Sequence, residues 1–297
     1  ASLEELRKEC YFLAGEEFNL NSPKQLSGVL FDRLKLPLQR KTKTGLSTDN
    51  EVLQSLAELH GLPAKILEYR QTAKLKSTYV EAFLNLRDPA TDKLHTTFNQ
   101  TGTSTGRLSS SSPNLQNIPV RTELGREIRH TLIPSAPDWD FVSADYSQVE
   151  LRIMAHLSGD KALTESFING EDVHSNAASR IFGCGLDQVT PEMRRVAKTV
   201  NFGIIYGMSP FGLAKELGIK REEAAEYIKH YFATYPLVKK YMDDTVEAAR
   251  KTGYVKTILN RKRFMNDINS ENKTIREFAE RAAINMPIQG SAADIIK

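Results

Sequence analysis

TPEMRRVAKTVNFGIIYG, residues Thr190–Gly207, reads as a single helix with an unusual outer face. Thr190 is a good N-cap, because its hydroxyl can accept from an orphan backbone N–H of the first turn, and Pro191 suits the first helical position. Gly207 supplies a stop. At about 100° per residue, Arg194, Lys198, Phe202 and Tyr206 advance by roughly 40° each and fall within about a 120° arc. Arg195 joins them. Met193, Val196, Val200, Gly203 and Ile204 form the opposite, apolar stripe, and Ile205 is the one apolar residue among the cations. A merely solvated basic face is the plain alternative, but it does not account for rings that lie with the charges. A nucleoside triphosphate does, with guanidinium and ammonium groups for its phosphates and rings for its base. The span from Arg194 to Tyr206, roughly 18 Å at about 1.5 Å per residue, is comparable to an extended nucleotide. The helix is not a P-loop, and no GxxxxGK[ST] occurs in the chain.

The rest of the chain is permissive. Its 297 residues suit one large or two to three small domains, and 40% hydrophobic with 26% charged residues describes an ordinary soluble protein. A net charge of +3 leaves local clustering to identify partners. Cys10 and Cys184 lack metal-ligand spacing, fit a reducing cytosol and argue against a disulfide scaffold. No apolar run of about 18 residues and no signal segment occurs, so neither a membrane nor secretion is expected.

Residues 1 to about 90 read as helices joined by polar loops. LEELRKECYFLAG ends at Gly15, SPKQLSGVLFDRL opens with Ser22-Pro23, and KTKTG is a basic loop. STDNEVLQSLAELHG is expected to stop at Gly61, and PAKILEYRQTAKLKSTYVEAFLNL is a long basic helix. KLHTTFNQ then alternates like a strand, and a Ser-, Thr-, Asn- and Gln-rich loop follows. WDFVSAD reads as a short buried strand and YSQVELRIMAHLSG as the helix after it. The remainder is helical apart from a basic hairpin, GYVKTILNRKRFMND, and a break at Pro287. The class is helix-rich α+β, with no repeat at a solenoid period.

Asp145, at the end of the expected strand, is placed as a Mg²⁺ ligand on a rigid support, or as an Asp that helps start the next helix. Ser147 and Glu150 have the S-x-x-E spacing of a capping box, which alone carries no function. Arg107, Asn114, Gln116 and Asn117, with Asn285 and Gln289 later, either form hydrophilic loops without a partner or donate to minor-groove acceptors. Purine N3 and pyrimidine O2 are present in every base pair, so such donors monitor pair shape without reading sequence.

TSTGRLSSSSPNLQNIP, DYSQVELRIMAHLSGD, RRVAKTVNFGIIYG and ERAAINMPIQGSAADIIK together closely resemble the family A DNA polymerases, of the bacterial DNA polymerase I type. AGEEFNLNSPKQL and KLKSTY resemble that family's thumb, so the likeness runs over essentially the whole chain. The resemblance implies a right-hand architecture: a helical thumb over residues 1–95, a first, partial β-sheet palm segment over 96–155, helical fingers over 156–275, and a return toward the palm over 276–297. It implies template-directed addition of dNTPs to a primer by two-metal nucleotidyl transfer. Asp145 matches the motif A aspartate that binds both Mg²⁺ ions, with the Tyr146 carbonyl as a further ligand. Glu150 matches the residue that excludes ribonucleotides, and could cap its helix as well. Arg194 and Lys198 match the triphosphate ligands of the mobile fingers helix, and Lys198 also the proton donor to leaving pyrophosphate. Phe202 matches the residue near the incoming sugar and base, Tyr206 the template-side stack, and His174 a further phosphate contact. Arg107 and Gln289 match minor-groove sensors, with Asn114, Gln116, Arg281 and Asn285 in the same neighbourhood, and Lys74 resembles a thumb contact to the DNA backbone. A single-subunit RNA polymerase shares the broad architecture, but Glu150 and the detailed match favour the DNA enzymes.

The implied partners are primer–template DNA and dNTP, in a cytoplasmic, nucleoid-associated monomer. The family's second catalytic aspartate lies in a His-Asp-Glu hairpin, and no such tripeptide occurs in residues 1–297. Asp243-Asp244 is expected on a solvated helix face, and Asp294 has no matching role. The two-metal site is therefore expected to be incomplete here, and the chain alone to bind DNA but extend primers poorly. Two alternatives stay open: a non-catalytic DNA- and nucleotide-binding fragment, or a site completed by the remaining polymerase segment as a separate chain.

Overall fold

Local capping sets most element boundaries in the computed structural model, which describes residues 2–38, 41–42, 45–120 and 122–297, with only the backbone at 41–42. Two compact units emerge, Ala1–Phe98 with Ser110–Phe141, and Asn99–Ser109 with Val142–Lys297.

In the first unit, α1 (Leu3–Ala14) starts at a Ser2–Glu5 capping box and stops at Gly15, whose φ of 71° is left-handed. Ser22 caps α2 (Pro23–Ser27), which continues as a π-helical turn to Arg33. Residues of the KTKTG stretch form a minimal antiparallel pair, β1 (Lys41–Thr42) with β2 (Gly45–Leu46), while Lys43 and Thr44 lie outside the described residues. α3 (Asn50–Leu56) ends before Gly61, which opens α4 (Gly61–Leu75) instead of closing its predecessor. The reason is His60, whose Nδ1 accepts from Leu62 N at 3.1 Å and caps the new helix. α4 runs through a π-helical turn into α5 (Ala82–Leu86), as expected for one long helix. Leu6, Leu26, Leu30, Leu53, Leu62 and Ile66 are fully buried between these helices. β3 (Thr97–Asn99) and β4 (Ser109–Ser111) pair with each other, and a helix the sequence reading missed, α6 (Glu123–His130), follows Thr122 as N-cap.

The second unit is helical: α7 (Val149–Ser158), α8 (Lys161–Ile168), α9 (Val173–Phe182), α10 (Pro191–Ile205), α11 (Pro210–Leu217), α12 (Arg221–Thr234) and α13 (Pro236–Thr252). The hairpin β5 (Tyr254–Lys256) with β6 (Lys262–Phe264) leads to α14 (Lys273–Ile296). Leu151, Met154, Val200, Ile204, Tyr231 and Tyr235 share its main core. α14 passes through Pro287 without the expected break. Pro287 and its neighbours Met286 and Ile288 are buried, and Ser291 Oγ donates to the Pro287 carbonyl, so tertiary packing and a side-chain donor offset the missing N–H. Among the described residues, no helix is long and apolar enough to cross a membrane.

The WDFVSAD strand does not form. Residues 141–146 are irregular, and Phe141 and Val142 are 70% and 93% exposed. β-propensity records fit to a paired, half-buried surface, and no strand among the described residues lies alongside to supply one.

Candidate functional site

The expected split of α10 into two faces holds. Thr190 Oγ1 accepts from Met193 N at 3.2 Å, Pro191 occupies the first position, and Val196, Ala197, Val200, Asn201, Gly203, Ile204 and Ile205 are buried. Arg195 and Lys198 are exposed, Arg194 and Phe202 half-exposed, and Tyr206 keeps 39% exposure at the helix end. Ile205, which the wheel puts among the cations, is instead fully buried in the core.

At the C-terminal end of α10, Tyr206 Oη donates to Glu150 Oε2 at 2.9 Å. Arg107 Nη2 donates to Glu150 Oε1, so both carboxylate oxygens are held. Gln289 of α14 hydrogen-bonds the same tyrosine hydroxyl. Burial first, then the Glu150 charge, pushes the Tyr206 phenol above its ordinary 10.0, so it remains a donor at neutral pH. Glu150 is only 6% exposed. Its expected capping box with Ser147 is absent: Gln148, at a left-handed φ of 53°, begins α7 with no side-chain cap, and the carboxylate turns to Arg107 and Tyr206 instead. A charged acceptor that meets a guanidinium outcompetes a backbone N–H that water can satisfy. Arg281 lies against Gly207, where an added Cβ would approach its Cγ to 2.9 Å, and its guanidinium sits 5.9 Å from the Phe278 ring. Asn285 carries a buried Nδ2 without a partner among the described residues.

A second cluster runs along α10 from Arg194 to Phe202. Arg194 Nε donates to Asp172 Oδ2 at 2.6 Å. The other oxygen of Asp172 caps α9 by accepting from His174 N and Ser175 N at 2.9 and 3.2 Å. Burial raises the Asp172 pKa, but Arg194 and these backbone donors outweigh it and leave the carboxyl below its ordinary 3.8. His174 is 2% exposed, its Nδ1 lies 2.9 Å from Asn201 Nδ2, and its ring is 5.8 Å from that of Phe202. Burial drives its pKa down to about 4, with Arg194 and Lys198 pushing the same way against Asp172. The imidazole is therefore neutral at physiological pH, with its Nδ1 in a hydrogen bond to the Asn201 amide.

Asp145 and Tyr146 are exposed on the segment before α7, five and four residues ahead of Glu150. A carboxylate and a backbone carbonyl are the hard oxygen donors that a Mg²⁺ ion takes. No group of three or more His, Cys, Asp or Glu side chains fit to hold a metal occurs among the described residues. Asn114, Gln116 and Lys74 belong to the first unit, all exposed, with Asn114 Oδ1 accepting from Gln116 N at 3.0 Å. Asp243 and Asp244 pair with Lys239 and Lys240 on the exposed face of α13, as expected.

DNA polymerase family A, as a family model, matches residues 1–297. The chain belongs to this family. It is 56% identical to DNA polymerase I of Geobacillus stearothermophilus over 99% of its own length and 34% of that protein. Identity to DNA polymerase I of Bacillus subtilis (strain 168) is 52%, over 100% of the chain and 34% of that protein. The thermostable DNA polymerase I of Thermus thermophilus is also 52% identical, over 98% and 35%. Among solved structures, the POL domain of Pol1 from M. smegmatis, in complex with DNA primer-template and dNTP, is similar at a TM-score of 0.89 and 48% identity, over 99% of this chain and 52% of that one. The chain thus spans about a third of the length of its DNA polymerase I relatives.

Sequence reasoning within the family A motifs missed Asp172 and Asn201. Both left a trace: Asp172 precedes VHSN as an N-cap should, and Asn201 is a polar residue on the buried side of α10.

Proposed function

We propose that this chain is the thumb, first palm segment and fingers of a cytoplasmic, nucleoid-associated DNA polymerase that adds dNTPs to a primer on a DNA template. The observation that carries the reading is the outer face of α10, where exposed cations lead to a ring tied to Glu150, on the helix that follows Asp145. Residues 1–95 serve as thumb, 96–155 as first palm segment, 156–275 as fingers, and 276–297 as the return toward the palm.

In this reading Arg194 and Lys198 bind the triphosphate, and Lys198 Nζ delivers a proton to the leaving pyrophosphate. His174 donates Nε2–H to a phosphate oxygen as a neutral imidazole, which its burial favours. Phe202 and Tyr206 pack on the incoming sugar, base and template side. Glu150, held by Arg107 and Tyr206, fills the space a 2′-hydroxyl would need. Arg107, Gln289, Asn285, Arg281, Asn114 and Gln116 follow the minor groove, and Lys74 the DNA backbone. Asp145 and the Tyr146 carbonyl would hold Mg²⁺. Such a metal pair, when bound, stabilises charge on the attacking and leaving oxygens and needs a second carboxylate, expected from the family's His-Asp-Glu hairpin.

In the full-length protein, Lys198→Ala is expected to slow single-nucleotide incorporation at least about a hundredfold, on the scale of one positioned acid. The primer–template Kd should stay within about twofold, and binding should weaken steeply with salt. Equal losses in incorporation and duplex binding would remove Lys198 from the triphosphate site.

A further inference from the structure

Asp294, which matched no role in the family motifs, is a buried carboxylate with both oxygens hydrogen-bonded. Its side chain is 4% exposed and lies on α14. Oδ1 accepts from Arg261 Nε at 2.8 Å and also from Arg261 Nη2, and Oδ2 accepts from Thr257 Oγ1 at 2.6 Å. Thr257 in turn accepts from Arg261 N at 3.1 Å, so the end of the β5–β6 hairpin is locked around the pair. What this lock touches is the loop ahead of Arg107. Gly106 has a φ of 80°, and a Cβ there would come within 2.6 Å of Arg261 Cζ. The guanidinium therefore packs flat on a backbone that only glycine presents. The same loop also meets α14: a Cβ on Gly290 would come to 2.6 Å from Thr257 Cγ2 and 3.3 Å from the Thr105 carbonyl.

We propose that Arg261 and Asp294 are positioning residues for Arg107: the buried carboxylate holds the Arg261 guanidinium against Gly106, and this fixes the backbone from which Arg107 reaches Glu150. The inference rests on the reading of Arg107 and Glu150 given above. Arg107 is half-exposed, so its own side chain has no cage to aim it. The Glu150 ion pair holds only its tip, and the backbone it starts from packs against Arg261 at Gly106 and against Gly290 of α14 at the Thr105 carbonyl. A planar guanidinium is needed because two of its N–H groups converge on one oxygen while its face lies on the glycine; an ammonium supplies neither feature.

The test is a double-mutant cycle in the full-length protein, read as single-nucleotide incorporation on a primer–template, with melting temperature and duplex Kd measured alongside. Arg261→Ala, Arg261→Lys and the near-isosteric Asp294→Asn are each expected to lower kcat about tenfold or more, since sub-ångström to ångström misplacement of a positioning group costs up to about a hundredfold. The KM for dNTP and the duplex Kd should change less than about twofold. Arg107→Ala combined with Arg261→Ala should be no slower than Arg107→Ala alone. Losses that multiply in the double variant, a rate unchanged in Arg261→Ala, or full rescue by lysine would each overturn the inference. Should Arg107→Ala itself leave incorporation intact, the assignment of Arg107 fails and takes this inference with it. A slow Arg107→Ala with multiplying losses sinks the inference alone.

Discussion

Replacing His174 by glutamine should flatten the acid limb of the protein's stability. Burial holds the folded imidazole at about 4, against 6.5 for a solvated ring. The unfolded chain therefore takes up the proton first as pH falls. The stabilisation from keeping His174 neutral is complete above about pH 6.5, declines between there and about 4, and changes no further once both states are protonated. At about 1.36 kcal/mol per pH unit, the wild-type protein loses about 2 kcal/mol from this one group by pH 5 and about 3 kcal/mol by pH 4. Every other titration is common to both proteins, so the difference between them isolates it. Guanidinium chloride unfolding of wild type and His174→Gln at pH 7.5 and pH 5 measures the quantity directly. The variant should start less stable at pH 7.5, because it forfeits the ring packing on Phe202, and should then lose about 2 kcal/mol less on acidification. Parallel losses, within about 0.5 kcal/mol, would refute the buried neutral imidazole and with it the neutral donor assigned to the phosphate.

Other expectations follow from the same contacts. Glu150→Ala leaves Tyr206 Oη and Arg107 without their acceptor; it should cost about 1–2 kcal/mol, discounted for the half-exposed arginine, and raise ribonucleotide incorporation relative to dNTP in a competition assay. Asp172→Asn retains a good helix cap but releases Arg194 from a partly exposed ion pair worth about 0.2–1 kcal/mol, so dNTP binding should tighten by up to about fivefold in a fluorescence titration. Leu53→Ala, at a fully buried position of the first unit, should destabilise by about 2–5 kcal/mol in denaturant unfolding while incorporation per folded molecule is retained.

Read alone, the sequence determined most of the helices and many of their ends, though not α6, the start at Gly61 or the run through Pro287. Ser2, Ser22, Thr190, Gly15 and Gly207 act on backbone groups within a turn of themselves, so the information is local. It also determined the two faces of α10 and, through four long motifs, the family. The tertiary structure decided whatever depended on partners distant in the chain. Gly61 starts a helix because His60 caps it, and Pro287 stays helical because its surroundings are packed. Residues 141–146 remain irregular because a strand exists only beside another strand. Glu150 is the clearest case. Its spacing from Ser147 satisfied a local rule, but Arg107 and Tyr206, 43 and 56 residues away, offered a charged donor and a buried hydroxyl. A carboxylate that must leave water goes to the partners that best replace it, and those partners are brought together only by the fold.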